Sequence, residues 1–389
     1  MAAYKRPGTI LALIVIAQFA CTSLWFAGNA VIGDIITDFG LPGSVTGHVL
    51  SAVQFGFITG TLVFSVLTIT DRFCAQNLFF LAALTGALAN LGMLASSSFA
   101  SIVGTRFITG FCLAGIYPVG VKIASDHFEK GLGKALGYLV GALVLGTALP
   151  HLIRAFTASL PWASVIIITS VVALAGGLVI LLLVPEGKYK TSLAKPDLRA
   201  FYSVFGNPSF RRASFGYFGH MWELYAFWAF VPVILVYYNQ LHHTHINVPL
   251  TSFLLIGSGA LSCVAGGNLS PRLGSHRIAF GALSVSFGCC LLSPLLFHLP
   301  QWLFLAFMFV WAMSVIADSP QFSTMVAASV SAEVKGTALT IGYSIGFFLT
   351  IISIQLLQTA AGWMPPAFLY LLLAPGPLLG LIAMRRTAW

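Results

Sequence analysis

Residues 215–238 read FGYFGHMWELYAFWAFVPVILVYY, an apolar stretch that carries one acid, Glu223, with His220 one helical turn before it. A helix of this length crosses a hydrocarbon core of about 30 Å, so the stretch reads as a membrane span. A carboxylate at its centre costs on the order of 2.5–3.5 kcal/mol on insertion scales, which marks Glu223 as a residue kept for a partner or a function. Similar runs follow one another on both sides of it: 10–33, 47–69, 77–96, 100–122, 134–155, 163–184, 213–238, 249–268, 278–297, 301–326, 337–358 and 366–384. Twelve spans make an all-α membrane protein. With 58% hydrophobic and 7% charged residues, the composition excludes a soluble globular domain, in which about 25% of residues are charged.

Charge sets the expected orientation. Lys5, Arg6, Arg72, Lys130, Lys134, Lys188, Lys190, Lys195, Arg199, Arg211, Arg212, Arg272, Arg277, Lys335, Arg385 and Arg386 fall in the tails or in every second loop, and the alternate loops hold only Arg154. The positive-inside rule then places both termini in the cytoplasm and the chain in the cell inner membrane. The first run is too long for a cleaved signal peptide and is read as a retained helix. The net charge of +9 follows from this asymmetry and from anionic lipid headgroups, which leaves no case for nucleic acid. The six cysteines form no C-x-x-C pair and read as small packing residues, not as a disulfide or zinc framework.

The longest polar segment, 185–212, is basic and punctuated by Pro196 and Pro208, and it divides the chain into six-helix bundles over 1–184 and 213–389. Features recur across it. Asp71-Arg72-Phe73 corresponds to Pro271-Arg272-Leu273, Glu129-Lys130-Gly131 to Glu333-Val334-Lys335-Gly336, Gly137-x-x-x-Gly141 to Gly342-x-x-x-Gly346, and Pro118 to Pro320. Two similar halves with a site between them near the midplane is an architecture of secondary transporters.

On these features the chain resembles the major facilitator superfamily over essentially its whole length. The family's loop after helix 2 keeps its Asp-Arg core here as Asp71-Arg72 and lacks its glycines and trailing basic pair. The second copy, Gly267 to Arg277, keeps both glycines and replaces the acid with Pro271. Arg106-x-x-x-Gly110 matches the family's helix-4 motif. The resemblance implies alternating access, with Asp71, Arg72 and Arg272 in gating. It also implies that Arg106 pairs with an acid on helix 1, for which Asp34 is the candidate.

Five residues are expected to carry proton coupling. Glu223 and His220, spaced i, i+3, share a helix face, and an acid–imidazole pair can take up a proton on one side of the membrane and release it on the other. Asp318 sits beside Pro320 in Ala317-Asp318-Ser319-Pro320-Gln321, where a bent helix frees backbone groups that need protein or water. Asp34 and Arg106 complete the set. Gln18, Trp25, Asn29, Gln54, Tyr117, Trp222, Tyr225 and Gln321 are candidate substrate contacts. His242, His243 and His245 have no carboxylate or cysteine nearby and are not read as a metal site.

The expected function is secondary transport of a small organic solute. Proton-coupled uptake of a polar or carboxylate-bearing metabolite or siderophore is the first reading, and proton-coupled efflux of an amphiphile is the second. A membrane-embedded enzyme built on His220 and Glu223 is the alternative of another class. There is no glycine-rich phosphate loop to support ATP-driven transport. No cofactor or metal is implied; the expected partners are the solute, protons and the bilayer, with the chain acting as a monomer.

Overall fold

The computed structural model describes residues 7–43, 45–128, 132–189, 204–331 and 334–385; the side chains of Asp71, residues 132–134 and Lys335 also lie outside the description. Lys5, Arg6, Glu129, Lys130, Gly131, Lys190, Lys195, Pro196, Arg199, Glu333 and Arg386, used above for orientation and repeat, fall outside it.

Among the described residues, eleven helices are long and apolar enough to cross a membrane, preceded by a shorter apolar helix over Gly8–Thr22. The chain is a multi-pass membrane protein. In order, the helices are α1 (Pro7–Thr22), α2 (Ala27–Ala30), α3 (Ile32–Phe39), α4 (Val45–Val66), α5 (Ile69–Arg72), α6 (Ala75–Leu91), α7 (Phe99–Leu113), α8 (Tyr117–His127), α9 (Leu132–Phe156) and α10 (Ala163–Leu183). After the basic segment come α11 (Pro208–His242), α12 (Val248–Leu273), α13 (Ser275–Leu292), α14 (Gln301–Ala317), α15 (Ser319–Ala328), α16 (Lys335–Ala360), α17 (Pro366–Leu369) and α18 (Pro375–Met384).

The helix starts follow capping chemistry. Asn207 accepts from the amides of Ser209 and Phe210 and is followed by Pro208, so α11 begins there. Asn247 does the same for α12 and Ser98 for α7.

Several expected spans are broken inside, the twelfth between Leu369 and Pro375 among them. The first is interrupted between Thr22 and Ala27, the fourth between Leu113 and Tyr117, and the tenth at Asp318. Pro118 and Pro320 lie in the first turn after the latter two breaks. A proline has no amide to continue the preceding ladder but fits a first turn. Corresponding prolines therefore produce corresponding breaks.

Packing follows the small residues. α1 lies on α9 and α10, α6 on α7 and α10, and α4 on α7; further along, α11 lies on α16 and α18, and α12 and α13 on α14. The most extensive contacts between these groups are α9 with α12 and α4 with α16. A Cβ at Gly110 would collide with the Val53 carbonyl, and one at Gly56 with the Phe107 carbonyl. The glycine of Arg106-x-x-x-Gly110 thus lets α7 meet α4 backbone to backbone. Gly137 and Gly141 face Cys263, Gly267 and Ala260 of α12. The second glycine pair does not repeat this role. Gly342 has open space around it, and Gly346 makes room for the Tyr217 ring.

Candidate functional site

A cavity lies between the two helix groups. Phe57 and Thr61 of α4, Tyr117 and Pro118 of α8, and Val140 and Leu143 of α9 line one side. Tyr217, Met221, Leu224 and Tyr225 of α11, Ile316, Ser319, Ser323, Tyr343 and Phe347 line the other. Both proline breaks open onto it, so Tyr117 and Ser319 stand where helix ladders are interrupted. The lining has hydroxyls but, among the described residues, no lysine, arginine, histidine or acid.

One side of the cavity rests on an aromatic floor. The Trp25 ring packs at 4.9 Å from Phe57, 5.5 Å from Tyr225 and 5.8 Å from Phe347, and Trp228 packs at 5.3 Å from Tyr225. Where α4 begins and α16 ends, the helices are tied by hydrogen bonds from Gln355 Nε2 to Ser51 Oγ (2.8 Å), from the Gly47 amide to Gln358 Oε1 (3.0 Å) and from Gln358 Nε2 to the Gly43 carbonyl (3.2 Å). At the other end of the same helix pair, Ser65 and Thr340 hydroxyls are 3.3 Å apart.

Two buried acids stand close behind the lining, and they have different partners. Asp318, at the α14–α15 break, has Oδ1 2.8 Å from Nδ1 of His220, and both side chains are essentially inaccessible. The contact is close but off the axis of a well-aligned hydrogen bond, and it is a charge pair only when His220 carries a proton. His220 Nε2 has no hydrogen-bond partner among the described residues. Glu223, fully buried, points elsewhere. Its Oε1 accepts from Ser286 Oγ, from Trp311 Nε1 at 2.7 Å and from Cys290 Sγ at 3.4 Å, while Oε2 is left without a hydrogen bond. The i, i+3 spacing put His220 and Glu223 on one helix face, but the structure pairs His220 with Asp318 and ties Glu223 to α13 and α14.

The expected Asp34–Arg106 pair is not formed. Asp34 Oδ1 accepts from Arg154 Nη2 at 2.9 Å, near the bundle end where Trp162 Nε1 also donates to Asp38 at 2.6 Å. Arg106 is 1% exposed. It donates Nη2 to the carbonyls of Leu24 and Trp25, each at 2.8 Å, and Nη1 to Asn90 Oδ1 at 2.9 Å. The reason lies in the α1–α2 break, which frees carbonyls in a dry interior, and a guanidinium can satisfy several at once.

Of the eight candidate substrate contacts, Tyr117 and Tyr225 line the cavity and Trp25 forms its floor. The other five do not reach it. Trp222 Nε1 donates to the Leu372 carbonyl at 3.1 Å, and Gln321 lies against Gly266. Gln18 lies against Gly120, and Asn29 and Gln54 are buried away from the lining. Of the gating candidates, Arg72 is exposed and donates to Thr68 Oγ1 at 3.2 Å, Arg272 is exposed in the last turn of α12, and the Asp71 side chain lies outside the described residues. Sequence reasoning passed over Thr61, Tyr217, Tyr343 and Phe347, and took Ser319 and Ser323 only as part of a polar patch around the Pro320 bend. The pairs Ser319/Ser323 and Tyr343/Phe347 and the run Tyr217–Met221–Tyr225 all recur at i, i+4, a one-face signal that was present. Ser286 and Trp311, which hold Glu223, gave no such signal. All six cysteines are free, and no three His, Cys, Asp or Glu side chains among the described residues converge to hold a metal ion.

The model of the Major Facilitator Superfamily matches residues 13–354. A protein of Escherichia coli O157:H7 named uncharacterized transporter YgaY is 26% identical over 235 residues, 57% of this chain and 58% of that protein. The efflux pump FUB11 of Gibberella moniliformis (strain M3125 / FGSC 7600) is 28% identical over 142 residues, 36% of this chain and 24% of the pump. The matched segments thus span little more than half of the first relative and about a quarter of the second. Among solved structures, the nucleoside transporter NupG superposes with a TM-score of 0.73 at 14% identity, covering 97% of this chain and 99% of its own. The human organic anion transporter MFSD10 superposes with a TM-score of 0.71 at 16% identity, covering 98% and 100%. Both likenesses are of fold.

Proposed function

The chain belongs to the major facilitator superfamily, and within it we propose a proton-coupled secondary transporter that moves a small organic solute through the central cavity by alternating access. Its two six-helix bundles, 1–184 and 213–389, rock about the α9–α12 and α4–α16 contacts, with both termini in the cytoplasm of a cell whose inner membrane holds the protein. The observation that carries this reading is the His220–Asp318 pair. An acid and an imidazole 2.8 Å apart in the dry interior form a proton site joining α11 to the α14–α15 break. The neighbours of both residues, Tyr217, Met221 and Ser319, line the cavity. A proton gained or lost there changes the charge that α11 and α15 share, and so couples protonation to the shape of the cavity. Glu223, with one oxygen saturated by three donors, is the anchor that fixes α11 against α13 and α14.

Among the described residues, the lining offers a carboxylate no counter-charge, and an unpaired charge in a low-dielectric site is costly. This moves the reading from uptake of a carboxylate-bearing metabolite or siderophore to export of an amphiphile in exchange for protons. An enzyme on His220 and Glu223 loses its support, since the two groups address different partners. The test uses proteoliposomes with an imposed pH gradient and a pH-sensitive dye. Adding a transported amphiphile should collapse the gradient with wild-type protein and leave it intact with Asp318→Asn. A substituted protein that dissipates the gradient at the wild-type rate would remove the pair from the mechanism.

A further inference from the structure

Six aromatic residues, Phe57, Tyr117, Tyr217, Tyr225, Tyr343 and Phe347, border the cavity. Ring contacts group five of them: Tyr217 lies 5.6 Å from Tyr343, and Phe347 lies 5.4 Å from Tyr225 and 4.5 Å from Phe57. Four of the six carry phenol hydroxyls, and Thr61, Ser319 and Ser323 add three more hydroxyl side chains. Asp318 stands one residue before the lining Ser319, with its Oδ1 2.8 Å from His220 Nδ1. Aromatic faces carry negative quadrupole density that attracts cations, most strongly where water is excluded. An anion of the same shape would meet ring faces, with no lining cation among the described residues to repay its lost hydration.

We propose that the solute is an organic cation carrying at least one aromatic ring, held between the tyrosines of α8, α11 and α16. The proposal deepens the carrier reading above and rests on it. It explains why exchange against protons suits this site: a bound cation and a proton on Asp318 both answer the same negative charge, so the site favours one when the other leaves.

The test is a matched pair of probes, tetraphenylphosphonium and tetraphenylborate, which share shape and differ in the sign of their charge. Binding is measured on the full-length purified protein in nanodiscs of uncharged lipid, with empty nanodiscs subtracted. Wild type should prefer the phosphonium by about tenfold or more, the scale of a partly desolvated cation–π contact. Tyr225→Phe and Tyr343→Phe, which keep the ring, should stay within about threefold of wild type, whereas Tyr225→Leu and Tyr343→Leu should weaken phosphonium binding about tenfold. Melting curves on each variant separate lost binding from lost folding. Equal or tighter binding of the borate overturns the proposal, as does unchanged phosphonium binding in a folded leucine variant. Counterflow in proteoliposomes keeps the two readings apart. A protein that binds the phosphonium but exchanges no solute retains the cation site and loses the carrier reading. One that exchanges solutes but does not bind the phosphonium retains the carrier reading and loses the cation site.

Discussion

Arg106, in the interior before the basic segment, and the His220–Asp318 pair, in the interior after it, are both buried, and their partners differ in kind. In the first, Arg106 meets two backbone carbonyls and an asparagine oxygen. All three partners are fixed dipoles that never titrate, so the charge is permanent and its role is to hold the α1–α2 break in shape. Trp25, whose carbonyl it binds, is thereby positioned as the cavity floor. In the second, Asp318 faces His220, and either partner can gain or lose a proton. Glu223 stands between these cases, an acid whose donors are all neutral side chains. A buried charge held by dipoles is scaffold, and a buried charge held by another titratable group can switch.

The sharpest way to break this comparison is at the titratable pair. Asp318→Asn keeps size and removes the charge, so gradient-driven solute movement should be lost while exchange between equal solutions survives. His220→Gln should flatten the response of transport rate to external pH and retain part of the exchange activity. Normal gradient-driven movement by Asp318→Asn in a flux assay would end the distinction drawn here.

Next in size is Arg106→Gln. Hydrogen bonds to a charged group are worth about 1.5–3 kcal/mol each, so losing most of this set should cost on the order of 3 kcal/mol. The melting temperature should fall, and coupled and exchange modes should weaken alike because the floor under Trp25 shifts. Loss of coupling with unchanged melting would assign Arg106 to the proton route instead.

Glu223→Gln is expected to be milder. The amide oxygen can still accept from Ser286 and Trp311, and the new NH2 group takes the place of the oxygen that has no partner, at a cost of about 1–2 kcal/mol. Gradient-driven movement should persist. If it vanishes in a protein that melts normally, Glu223 carries the proton and His220–Asp318 is the anchor. The smallest effect belongs to the pair at the bundle end. Arg154→Ala should change stability by about 1 kcal/mol or less, because Asp34 is more than a third exposed there and solvent-exposed ion pairs contribute little.

Much of the fold was legible because hydrocarbon imposes one rule on every span. A run such as 215–238 must be helical, since an unpaired backbone in lipid is too costly. The family resemblance was legible for a related reason, as loop motifs and prolines keep their order along the chain. The breaks beside Pro118 and Pro320 were foreshadowed by residues that cannot continue a helix. The break in the first span carries no proline, and without it the partners of Arg106 could not be named. The same limit explains Asp34, whose partner Arg154 lies 120 residues away.

Sequence alone thus determined which segments are long and apolar enough to cross the membrane, and that Arg106, Glu223, His220 and Asp318 needed accounting for, because burial cost depends on residue type and local run length. Only the tertiary structure decided how those charges are paired and which side chains border the cavity. Helical periodicity fixes the face a residue occupies on its own helix. The group it meets depends on which other helix packs there, and that choice is made by close approaches such as Gly110 on Val53 and Gly137 on Gly267, far apart in the chain and adjacent only once it has folded.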